Sequence, residues 1–286
     1  MTPRLPIVKA HAYGNDFLLV PETEAALAVL LAAAAPATGI PYGELARAAC
    51  DRYHGIGADG LILYTLHNQG ATMKLWNADG SAAELSGNGL RCLAALVVRM
   101  RAPAEGSSLA VDTDAGVKTL ELLVREGERY TFRAAMGMPE DLRQVSIEAG
   151  GESVTASILR LGNPQCVVLG PLPDADRFDR LGPALASHPM FPAGTNVAFA
   201  EVEARDRVRI LIWERGVGPT ASSGTGTSAS AIAAAAHGGA GKTLDVVAPG
   251  GTQRVEWRED SVYLTGWAEL IMTGEWLTPG PIRRTP

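Results

Sequence analysis

Apolar residues along this chain come in short runs broken by Gly, Asn and Asp, the pattern of strands joined by tight turns. Such runs predict strands around 6–9, 17–20, 60–65 and 72–77. From 109 to 135 the pattern alternates, with Leu120 and Leu122 out of phase with Val117, Thr119 and Glu121, which predicts a hairpin; another covers 243–266. Two segments differ. LRCLAALVVRM, within 88–101, and TSASAIAAAA, within 225–237, are apolar or small around most of a helix circumference, so each belongs inside a sheet. Further helices are expected at 22–35, 43–53 and 173–187.

The two apolar helices belong to a repeated pattern. Leu75-Trp76 precedes Ser-Gly-Asn-Gly at 86–89, and Ile212-Trp213 precedes Ser-Gly-Thr-Gly at 223–226. The interval from Trp76 to Ser86 equals that from Trp213 to Ser223, and Gly57 and Gly194 stand at the same offset, each ahead of an apolar run. Gly14-Asn15 pairs with Gly162-Asn163, and Val111 and Gly116 with Val246 and Gly251, at slightly different offsets. Ordered matches of this kind point to a tandem duplication. The expected fold class is therefore α+β, with two pseudo-symmetric halves, each a curled mixed sheet around a central helix. The N-terminal half is expected over 1–126, with the tail 270–286 packing on it, and the C-terminal half over 127–269. The last residues, PGPIRRTP, are expected to be a loose tail.

Composition narrows the function. The chain has 286 residues, ample for a real core, and its 47% hydrophobic and 20% charged content is that of an ordered globule. A net charge of −6 supplies no field to attract nucleic acid or an anionic membrane. The longest apolar run, Ala25 to Ala35, stops at Pro36, well short of the about 20 residues of a membrane span. The N-terminus has no apolar signal region. Three cysteines (Cys50, Cys92, Cys166) make no disulfide framework and have no metal-ligand spacing, so a reduced, cytoplasmic setting is expected.

Few standard motifs survive. GIGADG at 55–60 satisfies G-x-G-x-x-G, but a dinucleotide site needs a strand before it and a helix after, and here a strand-like LILYTL follows. The five histidines show no paired ligand spacing, so no metal is expected. Ser86 and Ser223 lack the G-x-S-x-G elbow and read first as helix N-caps. The duplication gives them a second meaning. Two Gly-flanked helix N-termini in equivalent places would face each other across a cleft and offer backbone N–H groups to a carboxylate or its enolate. Asn15, Asn77, Asn163 and Asn196 fall in turns near strand ends, and Glu214-Arg215 is a charge pair suited to a zwitterion. Each asparagine taken singly is also an ordinary turn residue.

The runs GNDF (14–17), DRYHGIGADG (51–60), NADGS (77–81), SGNGLRC (86–92), GNPQC (162–166), GTNVAF (194–199), ERGVG (214–218) and SGTG (223–226) resemble, in order, the diaminopimelate epimerase family. The resemblance implies two related α/β halves with the site in the cleft, no cofactor, and interconversion of LL- and meso-diaminopimelate on the route to lysine and peptidoglycan. It implies Asn15, Asn77, Gly87, Asn88, Asn163, Asn196, Glu214, Arg215, Gly224 and Thr225 as contacts to a small zwitterionic amino acid. It also suggests a homodimer.

The departures bear on the chemistry. The family's acid and base are cysteines, one before G-N-G and one before G-T-G; here those positions hold Ser86 and Ser223. Gln165 stands where the family usually has His, and Pro219 where it usually has Glu, while Cys92 and Cys166 occupy other positions. A thiol starts at a pKa of about 8.5, and a helix N-terminus contributes roughly 0.3–2 kcal/mol, enough to bring a thiolate near neutrality. A hydroxyl lies far above that range. Proton transfer by serines therefore calls for an assisting carboxylate, for which Glu214, Glu84 and Asp79 are the neighbours in sequence. Four readings stay open: an epimerase with serines in the two-base positions, a proline racemase-like epimerase or dehydratase on the same fold, an amino-acid-binding paralogue without turnover, and an engineered Cys-to-Ser variant.

Overall fold

Serine followed by Gly-x-Gly starts a helix twice, and each time the strands around it bury that helix. The computed structural model describes residues 4–23 and 42–277. Within them the chain divides into two compact units. One takes in the described residues up to Phe132 together with those from Trp267 onward, and the other is Arg133–Gly266. These divisions fall a few residues from the 126/127 and 269/270 boundaries expected above, because each lies inside a continuous strand rather than in a turn.

In the first unit, β1 (Arg4–Ala12) and β2 (Asn15–Pro21) form an antiparallel hairpin. Its turn places Tyr13 and Gly14 at φ 55° and 86°, the left-handed region that only Gly enters without cost. Helix α1 (Tyr42–Cys50) leads to β3 (Gly60–His67), which pairs parallel with β2 and antiparallel with β4 (Gly70–Asn77). The short β5 (Ala82–Ala83) adds to β4, and after α2 (Gly87–Arg101) comes β6 (Ser108–Thr113), parallel to β4 and paired with β7 (Gly116–Glu126). Successive residues of β2 and β3 point to opposite faces. Leu18, Val20, Leu61 and Leu63 pack with Leu45, Ala46 and Ala49 of α1. Phe17 and Ile62 lie against Gly89 of α2 on the other face. Both faces are covered, which is why these strands read as unbroken apolar runs. The α2 residues Asn88 to Val98 are buried without interruption.

The strand β8 (Arg129–Ala135) runs from the first unit into the second, and β17 (Val262–Leu277) returns to the first, where it pairs with β1. The second unit holds β9 (Glu140–Ala149), β10 (Glu152–Leu161), β11 (Asn163–Leu169), α3 (Ala175–Ala186), β12 (Asn196–Ala204), β13 (Arg207–Glu214), β14 (Gly218–Thr220), α4 (Gly224–His237), β15 (Thr243–Ala248) and β16 (Gly251–Trp257). Its pairings follow the same succession: β10 with β11, β11 parallel to β12, β12 with β13, β13 with β14, β13 parallel to β15, and β15 with β16. Ala229 and Ala231–Ala234 of α4 pack among Leu159, Ala198, Ile210, Ile212 and Val246. Val197 and Phe199, on the opposite face of β12, meet Leu181 and Leu185 of α3.

The expected strands and the helices expected at 88–101, 173–187 and 225–237 are present, with informative differences; the hairpin expected over 243–266 is β15 and β16 followed by the start of β17. The segment 109–135 is not one hairpin but parts of three strands, because turns follow Thr113 and Glu126, the second with Gly127 at φ 61°. The helix expected at 43–53 ends at Cys50, where the Asp51 carboxylate accepts from the N–H groups of Tyr53 and His54 at 2.7 and 2.8 Å and turns the chain away. Glu22 and Thr23 are not helical, and the rest of the helix expected at 22–35 lies outside the described residues, as does PGPIRRTP. Among the described residues no helix is long and apolar enough to cross a membrane.

Gly70 opens β4 so close to β6 that a Cβ there would run into the Ala110 carbonyl oxygen. Because the obstacle is backbone, Gly70→Ala is expected to lower unfolding free energy by about 2–3 kcal/mol, read as a lower urea midpoint.

Candidate active site

Both helix starts follow from local chemistry. Ser86 is extended at φ −129° and ψ 123°, and its Oγ accepts from the Gly89 N–H at 3.1 Å. Ser223 is extended at φ −144° and ψ 124°, and its Oγ accepts from the Gly226 N–H at 3.4 Å. N–H groups earlier in each first turn have no carbonyl of their own helix to bind, so each terminus presents donors and a positive dipole end. Ser86 is half-buried, whereas Ser223 is only 4% exposed. Gly87 and Asn88, and Gly224 and Thr225, form the two first turns.

The serines differ in their company. Glu214 is the last residue of β13, and burial pushes its carboxyl above the ordinary carboxylate value although the neighbouring Ser223 hydroxyl favours the ionised form. Among the described residues no comparable carboxylate meets Ser86. Asp79 is turned to its own loop, accepting from Ser81 N and Oγ at 2.8 and 2.6 Å, and those bonds hold its pKa below the usual value. Glu84 is exposed.

The asparagines are held in defined orientations. In the first unit, Asn88 donates to Asn15 Oδ1 at 3.1 Å, and Asn15 Nδ2 donates to Asp59 at 2.7 Å. Asn77, at the end of β4, donates to Ser81 Oγ at 3.0 Å. In the second, Asn163 Oδ1 accepts from buried Gln165 at 2.5 Å, and Asn196 Oδ1 accepts from the Arg215 N–H at 3.0 Å. The exposed Arg215 guanidinium donates to the Ala193 carbonyl at 2.5 Å and borders a recess of about 440 Å³ lined also by Pro183, Phe191, Gly194 and Trp213.

Several residues of this framework carried no separate signal in the sequence. Arg52 bridges Asp16 and Asp59, each at 2.8 Å, and Lys9 lies 3.0 Å from Asp16. Burial works to raise the Asp16 pKa, but the hydrogen bonds and charges of Arg52 and Lys9 outweigh it and hold the carboxyl low. Arg91 is 2% exposed and donates to Asn88 Oδ1 at 2.5 Å, with its guanidinium 5.8 Å from the centre of the Tyr13 ring. Its only mark in the sequence is an arginine amid the apolar run of α2.

GIGADG closes the end of α1. The N–H groups of Ile56 and Gly57 bond the Ala49 carbonyl at 2.9 and 3.0 Å, and that of Ala58 bonds Cys50 at 3.1 Å. Donors so engaged are not a phosphate cradle. All three cysteines are buried, and burial pushes the thiols of Cys50 and Cys166 up to about 12 and that of Cys92 upward as well, so none is a ready nucleophile. Among the described residues no group of three or more His, Cys, Asp or Glu side chains is placed to hold a metal ion.

Comparison with known proteins places this geometry. The diaminopimelate epimerase profile matches residues 7–140 and 157–271. The diaminopimelate epimerase of Desulforudis audaxviator is 38% identical over 291 residues, covering 96% of this chain and 99% of its own. That of Desulfitobacterium hafniense is 34% identical over 285 residues, covering 94% and 97%. Among solved structures, a hydroxyproline epimerase from Agrobacterium vitis superposes with a TM-score of 0.65 at 16% identity, covering 96% of this chain and 92% of its own. A Bacillus anthracis phenazine biosynthesis protein of the PhzF family gives 0.65 at 15%, covering 96% and 99%. At such identities these two show a shared fold and no more. With its family profile matched in both units and full-length relatives above 30% identity, the chain belongs to the diaminopimelate epimerase family.

Proposed function

We propose that this protein isomerises diaminopimelate at an α-carbon, between the LL and meso forms, with a Ser223–Glu214 pair as base and Ser86 as acid. The observation that carries the reading is that the fold brings the partly buried Glu214 carboxyl, at the end of β13, beside the Ser223 hydroxyl at the start of α4. Inversion needs a base on one face of the α-carbon and an acid on the other. A hydroxyl alone is a poor base. Backed by a carboxylate it accepts the α-proton on Oγ while its own proton passes to Glu214, and the electron pair left on carbon spreads into the substrate carboxylate. As an acid a hydroxyl suffices, being more acidic than the carbon it protonates. Ser86 gives its proton and recovers one from water, and Glu214 releases the proton it took up to the hydroxide so formed, which restores both groups.

Asn15, Asn77, Gly87, Asn88, Asn163, Asn196, Arg215, Gly224 and Thr225 complete the reading as contacts to the zwitterion. The duplication is supported by the matching succession of strand pairings in the two units, and a cytoplasmic setting by three free thiols.

Incubation with LL-diaminopimelate in D2O tests the function. α-Deuteration with appearance of the meso form is expected by NMR. Saturable binding without exchange over days would overturn it and select a second reading, retention of an amino acid without turnover, which the Cys-to-Ser positions and the buried Gln165 favour. Binding is expected to depend on Arg215 either way. Arg215→Ala removes a charge-assisted partner, for a loss of roughly 1.5–3 kcal/mol in affinity for LL-diaminopimelate. An unchanged dissociation constant in calorimetry would put the ligand elsewhere.

A further inference from the structure

A hydrogen-bonded line crosses the first unit from a group that only donates to one that only accepts. Arginine has five N–H donors and no acceptor, and an ionised carboxylate accepts only. Arg91 donates to Asn88 Oδ1 at 2.5 Å, Asn88 Nδ2 to Asn15 Oδ1 at 3.1 Å, and Asn15 Nδ2 to Asp59 Oδ2 at 2.7 Å. A side-chain amide taken singly turns over with little penalty. Here neither can do so without facing donor to donor at Arg91 or acceptor to acceptor at Asp59. Asp59 is itself tied down, by Arg52 at 2.8 Å and by the Asp16 N–H at 3.1 Å.

The two ends of the Asn15 amide differ in surroundings. Its oxygen is turned to Asn88, 3% exposed, and its amino group to Asp59, whose side chain is 41% exposed. The amino group is therefore the outward end. An N–H turned outward suits a carboxylate oxygen and repels an ammonium.

We propose that Arg91 and Asp59 are positioning residues that fix the polarity of Asn15, so that Asn15 offers an N–H to a carboxylate of the amino-acid substrate. The identity of that substrate rests on the function proposed above; the polarity does not. Arg91 is buried in α2 and acts on the ligand only through the two amides. Asp59 gives the GIGADG segment a role beyond closing α1.

Two measurements test this. Arg91→Lys keeps a donor-only group beside Asn88, whereas Arg91→Gln also accepts and lets the line invert. Arg91→Gln is expected to weaken LL-diaminopimelate binding about ten-fold, the worth of one hydrogen bond, with Arg91→Lys within about three-fold of the unsubstituted protein. An equal loss in both, or a loss in neither, would reduce Arg91 to packing and overturn the proposal. In the unsubstituted protein, NMR should detect a through-hydrogen-bond coupling between Asn15 Nδ2 and the Asp59 carboxylate carbon. Its absence overturns the assigned polarity whether or not the amino acid binds. Its presence without diaminopimelate binding upholds the polarity and overturns the functional reading alone.

Discussion

Ser86→Cys combined with Ser223→Cys is expected to raise α-proton exchange on LL-diaminopimelate by at least about a hundred-fold, the lower range for a well-placed acid–base pair. Both side chains sit at the N-terminus of a buried helix, with Oγ on a first-turn N–H. A thiol there starts near 8.5 and is drawn down by the dipole, whereas a hydroxyl stays un-ionised. Cys50 and Cys166 show that placement decides the matter, since burial away from any helix N-terminus pushes them up to about 12. Sulfur is somewhat larger than oxygen, and Ser223 is the tighter position, so any packing penalty falls mainly there. Each single substitution should help far less, because inversion uses both groups. A double variant that binds diaminopimelate but exchanges no faster would shift the deficit to Gln165 or Pro219.

Glu214→Gln should cut exchange by about two to four orders of magnitude, the range for loss of a general base. The amide keeps the shape of the carboxyl and a hydrogen-bonding partner for Ser223 but takes up no proton. A pH dependence accompanies this. Exchange needs the Glu214 carboxylate, and burial has moved its pKa above the ordinary value of about 4.3, so the rate should climb with pH through a midpoint above that value. The effect on stability has the opposite sign. A carboxyl whose folded pKa is raised contributes stability that is complete below its unfolded pKa and is lost as pH rises through the folded one. Glu214→Gln escapes that loss, so its urea midpoint at pH 7 should equal or exceed that of the unsubstituted protein, while its exchange collapses. Exchange at the unsubstituted rate would remove Glu214 from the chemistry.

The parts of this protein determined by sequence alone are those whose physics is local. A serine ahead of Gly-x-Gly caps a helix with its own hydroxyl, and an apolar or small surface all around requires burial, so α2 and α4 were legible residue by residue. The equal spacing from Trp to Ser in both halves, and the motifs flanking Ser86 and Ser223, pointed to the repeated plan and the family. Unbroken apolar runs such as VAFA marked strands, here part of β12.

What only the tertiary structure decided depends on contacts between residues far apart in the chain. Nothing near Glu214 in sequence favours it over Glu84 or Asp79 as the carboxylate for a serine; β13 and the start of α4 bring it to Ser223, while Asp79 is used up by its own turn. The sequence around GIGADG already spoke against a dinucleotide site, but only the packing shows what the segment does, its N–H groups lying on the carbonyls at the end of α1. Arg91, Asn88, Asn15 and Asp59 lie in three separate motifs. Their common line exists because β2, β3 and α2 pack together, and the direction of every bond in it follows from a buried arginine at one end and a carboxylate at the other.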